Sequence, residues 1–86
     1  MAVQNVSVEL WLGGRKLARG TCHLLVRAGP EGGTVSQLHW SEAEQDMTGR
    51  VIELRLPDGR ALRVTITRHS HPEGSTVLRF RVDDAR

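Results

Sequence analysis

The feature that most constrains this chain is a period of two in its apolar residues. Val6, Val8, Leu10 and Leu12 alternate with Ser7, Glu9 and Trp11, and Ile52, Leu54 and Leu56 alternate with Glu53 and Arg55. Leu62, Val64 and Ile66 alternate with Arg63 and Thr65, and Leu78, Phe80 and Val82 with Arg79 and Arg81. Successive side chains on a strand point to opposite faces. Each run therefore predicts a half-buried antiparallel strand with one dry and one wet face. Leu38 and Trp40 predict a fifth strand over 34–40. Leu17 to Val26 predicts a sixth whose parity breaks: Leu17 is odd, while Cys22, Leu24 and Val26 are even. A β-bulge at Gly20 would repair it.

The punctuation between these runs supports hairpins. Gly13-Gly14 suits a two-residue connection and would set Leu10 opposite Leu17. Pro57-Asp58-Gly59 reads as a three-residue loop, with Pro57 presetting φ and Gly59 taking a positive φ. That length pairs Leu54 with Leu62, Ile52 with Val64 and Glu53 with Arg63. A two-residue Asp58-Gly59 loop would set inward residues against outward ones, so the register rejects it. Ala28–Gly33 and His69–Ser75 read as polar loops. Ser41 followed by Glu44 fits a capping box, predicting about one helical turn over 41–47 that ends at Gly49.

Eighty-six residues support one core, so residues 1–86 form a single domain. Six short strands with one apolar face each must close on themselves or pack face to face. The expected fold is all-β, a small six-stranded antiparallel barrel or compact sandwich with one short helical turn near 41–47. Trp40 and Phe80 would point inward and Trp11 outward.

Charge and cysteine narrow the setting. Twelve Lys and Arg face ten Asp and Glu, for a net charge of +2. Cys22 has no second cysteine to pair with. No apolar run approaches the length of a membrane span, and the first residues lack the layout of a signal peptide. These features predict a cytoplasmic protein with no membrane association.

Catalytic chemistry finds little support. There is no phosphate-binding glycine loop followed by a helix, no nucleophile elbow and no zinc-protease helix motif. Cys22 is expected inside the barrel, where small thiols pack rather than react. His69 and His71 lie one residue apart near Glu73, but they read as solvated loop histidines, and a zinc site needs three or four ligands. No catalytic residue, metal or cofactor is expected.

The outer face offers more. Glu53, Arg55, Arg63, Thr65, Arg79 and Arg81 should share it. With only Trp11, Trp40 and Phe80 as aromatics, and two of those inward, it lacks the stacking platforms of single-strand binders, which makes nucleic acid unlikely as a partner. An outward Trp11 suits an interface anchor.

From Thr48 to Val82, the order Gly49, strand, Pro57-Asp58-Gly59, strand, loop and a strand holding Phe80 resembles the PilZ family of cyclic-dinucleotide-binding barrels. Arg15-Lys16-Leu17-Ala18-Arg19 matches that family's Arg-x-x-x-Arg element in letters. Thr34–His39 keeps only Ser36 of its Asp/Asn-x-Ser-x-x-Gly element. The resemblance implies a barrel with an anionic ligand near Arg15 and Arg19, in a degenerate form. Two functions are therefore expected of this scaffold. The first is a non-enzymatic binding module that meets a protein partner, or a second copy, through edge strands or its outer face. The alternative is a degenerate PilZ-type barrel that binds a cyclic dinucleotide, or another anionic ligand or nucleic acid, through its Arg-rich face. The contact residues expected for either are Arg15, Arg19, Arg55, Arg63, Arg79, Arg81 and Trp11.

Overall fold

The computed structural model describes residues 2–26 and 30–85. Its strands are β1 (Ala2–Leu12), β2 (Arg15–Val26), β3 (Pro30–Trp40), β4 (Val51–Arg55), β5 (Ala61–Ser70) and β6 (Val77–Ala85). All neighbouring pairs are antiparallel, and the order β1-β2-β3-β6-β5-β4 closes into a barrel. The alternating residues line its inside. Leu10, Leu54, Val64, Ile66 and Leu78 are fully buried, with Cys22 and Phe80 beside them. Trp40, Val6, Leu12, Leu38 and Val82 pack against this core at its margins. The side chains of Leu24 and Val26, also expected inside, lie outside the described residues.

Both predicted hairpins form. Gly13 and Gly14 take φ values of 58° and 79°, the paired positive angles that let a two-residue turn follow the twist of its strands. The 57–59 loop closes with Leu56 N–H on the Arg60 carbonyl at 2.9 Å. The Ile52/Val64, Glu53/Arg63 and Leu54/Leu62 register follows.

The β2 irregularities differ from expectation. Leu10 pairs with Ala18 rather than Leu17, and the β1–β2 register shifts beside it, leaving Leu17 as the extra residue. Leu17 and Ala18 are both buried, so the parity change occurs there and not at Gly20. A second bulge lies between β2 and β3. Arg19 pairs with His39 and Thr21 with Ser36, so the extra residue belongs to β3. Gln37 takes a φ of 53° within this bulge. Gly20 faces it: a Cβ there would stand 2.8 Å from the Ser36 carbonyl oxygen and 2.9 Å from Val35 Cγ1. Glycine is required by space, not by a bulge of its own.

Two segments expected to be irregular are strand. Residues 30–33 open β3, and β5 runs on through Ser70. Within β5, Ile66 pairs with Phe80 and Arg68 with Arg79, making Thr67 an extra residue. This bulge reverses the alternation, so His69 faces inward opposite Leu78.

The helical turn expected over 41–47 is absent. No residue of that segment is helical, and the helical residues present form a 3-10 turn at Pro72–Gly74. Long-range bonds win over the local cap. Ser41 N–H donates to the Leu17 carbonyl at 2.8 Å, and Gly49 N–H to the Ile66 carbonyl at 2.7 Å. Met47 is buried at 3% exposure. The 41–50 segment is thus a strap crossing one end of the barrel, with Met47 as its plug. One isolated turn could not compete, since helix nucleation is unfavourable.

Candidate functional site

Two places on this scaffold concentrate polar side chains. The first is the outer wall of β2, β1 and β4. Glu9 stands opposite Arg19 on one side and Arg55 on the other, and Trp11 lies between Lys16 and Glu53. Trp11 Nε1 donates to Glu9 Oε1 at 3.1 Å, and Lys16 Nζ lies 3.3 Å from Glu9 Oε2. These contacts hold the Glu9 carboxyl below its ordinary range, Trp11 contributing most. The Arg55 guanidinium covers the Trp11 ring at 3.9 Å and bonds Glu53 at 2.6 Å. Trp11 therefore points outward as expected, but it is half-buried beneath Arg55 rather than an open platform.

The other expected contact residues disperse. Arg15 is exposed and meets Glu42 at 3.5 Å. Arg63 stands opposite Glu53 in register, yet Glu53 pairs with its own strand neighbour Arg55. Arg81 bonds Asp83 at 3.2 Å, and Arg79 faces Thr34 and Arg68. The six arginines occupy β2, β4, β5 and β6, so curvature spreads them around the ring instead of gathering one patch. Among the described residues, Arg19 and Arg55 border a common hollow, of about 370 Å³, with Ser7, Val8, Glu9, Leu56 and Pro57, and Trp11 and Arg63 border another, of about 280 Å³. A second hollow of about 300 Å³ continues past Arg19 to Thr21, Gln37 and His39.

The expected edge strands also change. Closure leaves no strand wholly unpaired, but β4 has five residues against eleven in β1. Among the described residues it meets β1 only at Glu9–Trp11, and Ala2–Val8 pairs with β2 alone. The hollow beside Arg19 and Arg55 lies where that uncovered stretch begins.

The second place is the strap. Met47 N–H donates to His69 Nδ1 at 2.9 Å. A backbone amide can only donate, so Nδ1 supplies a lone pair and the ring proton sits on Nε2. That proton reaches Glu44 Oε2 at 2.9 Å. His71 Nε2 bonds the same oxygen, and Thr76 Oγ1 donates to Glu44 Oε1 at 2.7 Å. Hydrogen bonds from His69, Thr76 and His71 hold the Glu44 carboxyl down at about 2. Trp40 stacks on His69, with ring centroids 6.1 Å apart and planes 8° from parallel. Glu44 thereby ties the strap to the β5–β6 connection.

This cluster is not legible in the sequence. There Glu44 suits a helix cap and His69 a solvated loop, whereas His69 has only 4% of its side chain exposed. The bulge at Thr67 that turns it inward lies among polar residues, where hydrophobic alternation carries no signal.

Catalysis gains nothing from Cys22. It is buried, and desolvation pushes its thiol up to about 11, so the thiolate is scarce at neutral pH. The chain matches no family model, no curated protein and no solved structure.

Proposed function

We propose that this protein is a non-enzymatic binding module that takes an extended, acidic segment of a protein partner along the uncovered edge of β1. The observation that carries this reading is the mismatch between β1 and β4. From Val8 back to Ala2, alternate backbone N–H and C=O groups of β1 face away from β2 with no strand opposite among the described residues. Such an edge is a template for strand addition, and natural sheets usually shorten, cover or charge it. Asn5 and Ser7, both exposed, do none of these.

Charge selects the occupant. Arg19 and Arg55 border the hollow at the start of the edge, and the one acid between them, Glu9, is engaged by Trp11 and Lys16. An incoming strand with a carboxylate at that level meets two guanidiniums. Backbone pairing would supply affinity and the arginines register.

The test is an amide-resolved NMR titration with two short peptides, one alternating Val with Glu and one alternating Val with Lys. Shifts at Asn5–Val8, Arg19 and Arg55 with the acidic peptide only, reversed in preference by an R19E/R55E double variant, are expected. Flat titrations, or equal responses to both peptides, would overturn the proposal. So would concentration-dependent dimerisation that shifts the same residues, because the edge would then belong to a second copy.

A further inference from the structure

The Glu44–His69–His71 cluster supports a second, independent reading. One carboxylate oxygen receives two imidazole Nε2 groups, and one ligand atom from each residue lies within 4.8 Å of the others. We propose that these residues form a site for a single divalent transition-metal ion of the zinc class. Two imidazole nitrogens and one carboxylate oxygen are a donor set for Zn²⁺, Co²⁺, Ni²⁺ or Cu²⁺, and a poor one for Mg²⁺ or Ca²⁺, which prefer oxygen.

The three groups come from separated parts of the chain, the strap and the end of β5 with its following residue, so the fold itself assembles them. Their exposure is graded. His69 is 4% exposed, Glu44 30% and His71 53% by side chain. A bound ion would therefore rest on a buried ligand and meet solvent on the His71 side, leaving a fourth position for water.

Coordination also makes a demand on His69. Its Nε2 must give up its proton to offer a lone pair, and the proton must reappear on Nδ1. That nitrogen now accepts from Met47 N–H, and two donors cannot face each other. Asp46 Oδ1 lies 3.9 Å from Nδ1 and is the acceptor at hand for the relocated proton, the carboxylate–imidazole–metal arrangement common around bound ions. Metal capture is thus coupled to release of the Met47 amide and a shift of the strap. His71, being exposed, changes tautomer through solvent.

The test uses tag-free, chelator-treated protein and isothermal titration with ZnCl₂ at neutral pH. One ion per chain is expected, with Co²⁺ giving the visible absorption of a tetrahedral site. His71→Ala and Glu44→Gln, both at exposed positions, should each weaken binding by about tenfold or more; H39A should not. Zinc should also move the Met47 amide resonance, which adventitious surface binding would leave in place. Absence of saturable zinc binding, equal binding by H71A, a stationary Met47 amide, or equal uptake of Mg²⁺ would each overturn the site. Circular dichroism of the variants separates lost ligands from lost folding, and H71A alone keeps the test decisive if E44Q unfolds.

Discussion

At the scale of single residues, steric and electrostatic demands outweigh side-chain preference at three positions. Gly20 has no room for a Cβ because the β3 bulge presses the Ser36 carbonyl against it. Backbone cannot step aside cheaply, so Gly20→Ala should cost about 1–3 kcal/mol in chemical denaturation. Gln37 occupies the left-handed region and accepts a hydrogen bond from Thr21 Oγ1 at 3.0 Å. Gln37→Gly relieves the backbone and loses that bond, so it should fall within about 0.5 kcal/mol of the parent. Gln37→Val loses the same bond and adds strain, since a β-branched residue tolerates positive φ poorly, and should lose about 2 kcal/mol. Cys22 makes a pH-dependent contribution. Its thiol ionises at 9.0 in an ordinary setting and at about 11 in the folded barrel. Between those values the unfolded chain binds fewer protons, so the contribution is intact below pH 9 and is lost as pH rises toward 11. Urea denaturation across that window should show a steeper decline for the parent than for Cys22→Ala; parallel curves would remove the argument.

At the scale of elements, the strap is where local and long-range signals conflict. Met47 plugs the barrel end while the strap is pinned by the bonds from Ser41 and Gly49 and by Glu44. Met47→Ala should cost about 2 kcal/mol by emptying a buried site. It should speed amide exchange at Gly49 and at Ile66, whose N–H bonds the Arg50 carbonyl, before it affects Leu54 or Val64. The same conflict explains what could be read from sequence. β4, the first part of β5 and the inward face of β6 were legible because apolar alternation and the Pro57-Asp58-Gly59 loop agree on one register. The strap was not, because Ser41 and Glu44 offer a local cap whose competitors, Leu17 and His69, are remote in sequence. The parity break signalled a bulge in β2 but not its place at Leu17, and the bulges at Gln37 and Thr67 were hidden, since each is defined by a partner strand. Of the expected contact residues, the arginines and Trp11 were correctly placed on the outside. Which of them meet depends on barrel curvature, and alternation contains no information about that.

For the whole molecule, closure is the weak step. The ring is sealed by three residue pairs between β1 and β4, against eleven between β1 and β2. Leu10 and Leu54 pack inside this seam, and Trp11, Arg55 and Glu53 brace it outside. Opening there would lengthen the free edge of β1 to its full extent, so the seam limits both stability and the surface available to a partner. Trp11→Ala removes the ring beneath Arg55 and the bond to Glu9, and should cost about 1–3 kcal/mol. A brace predicts more than lost stability. Native-state hydrogen exchange at low denaturant should show Glu53 and Arg55 amides opening below the global unfolding free energy in the variant, while β2 and β3 amides exchange only on global unfolding. If every strand opens together in both proteins, Trp11 is a surface residue of ordinary value. If β4 alone loosens, acidic-segment binding should weaken in the variant, because Arg55 leaves the hollow with β4 and Glu9 loses its bond from Trp11.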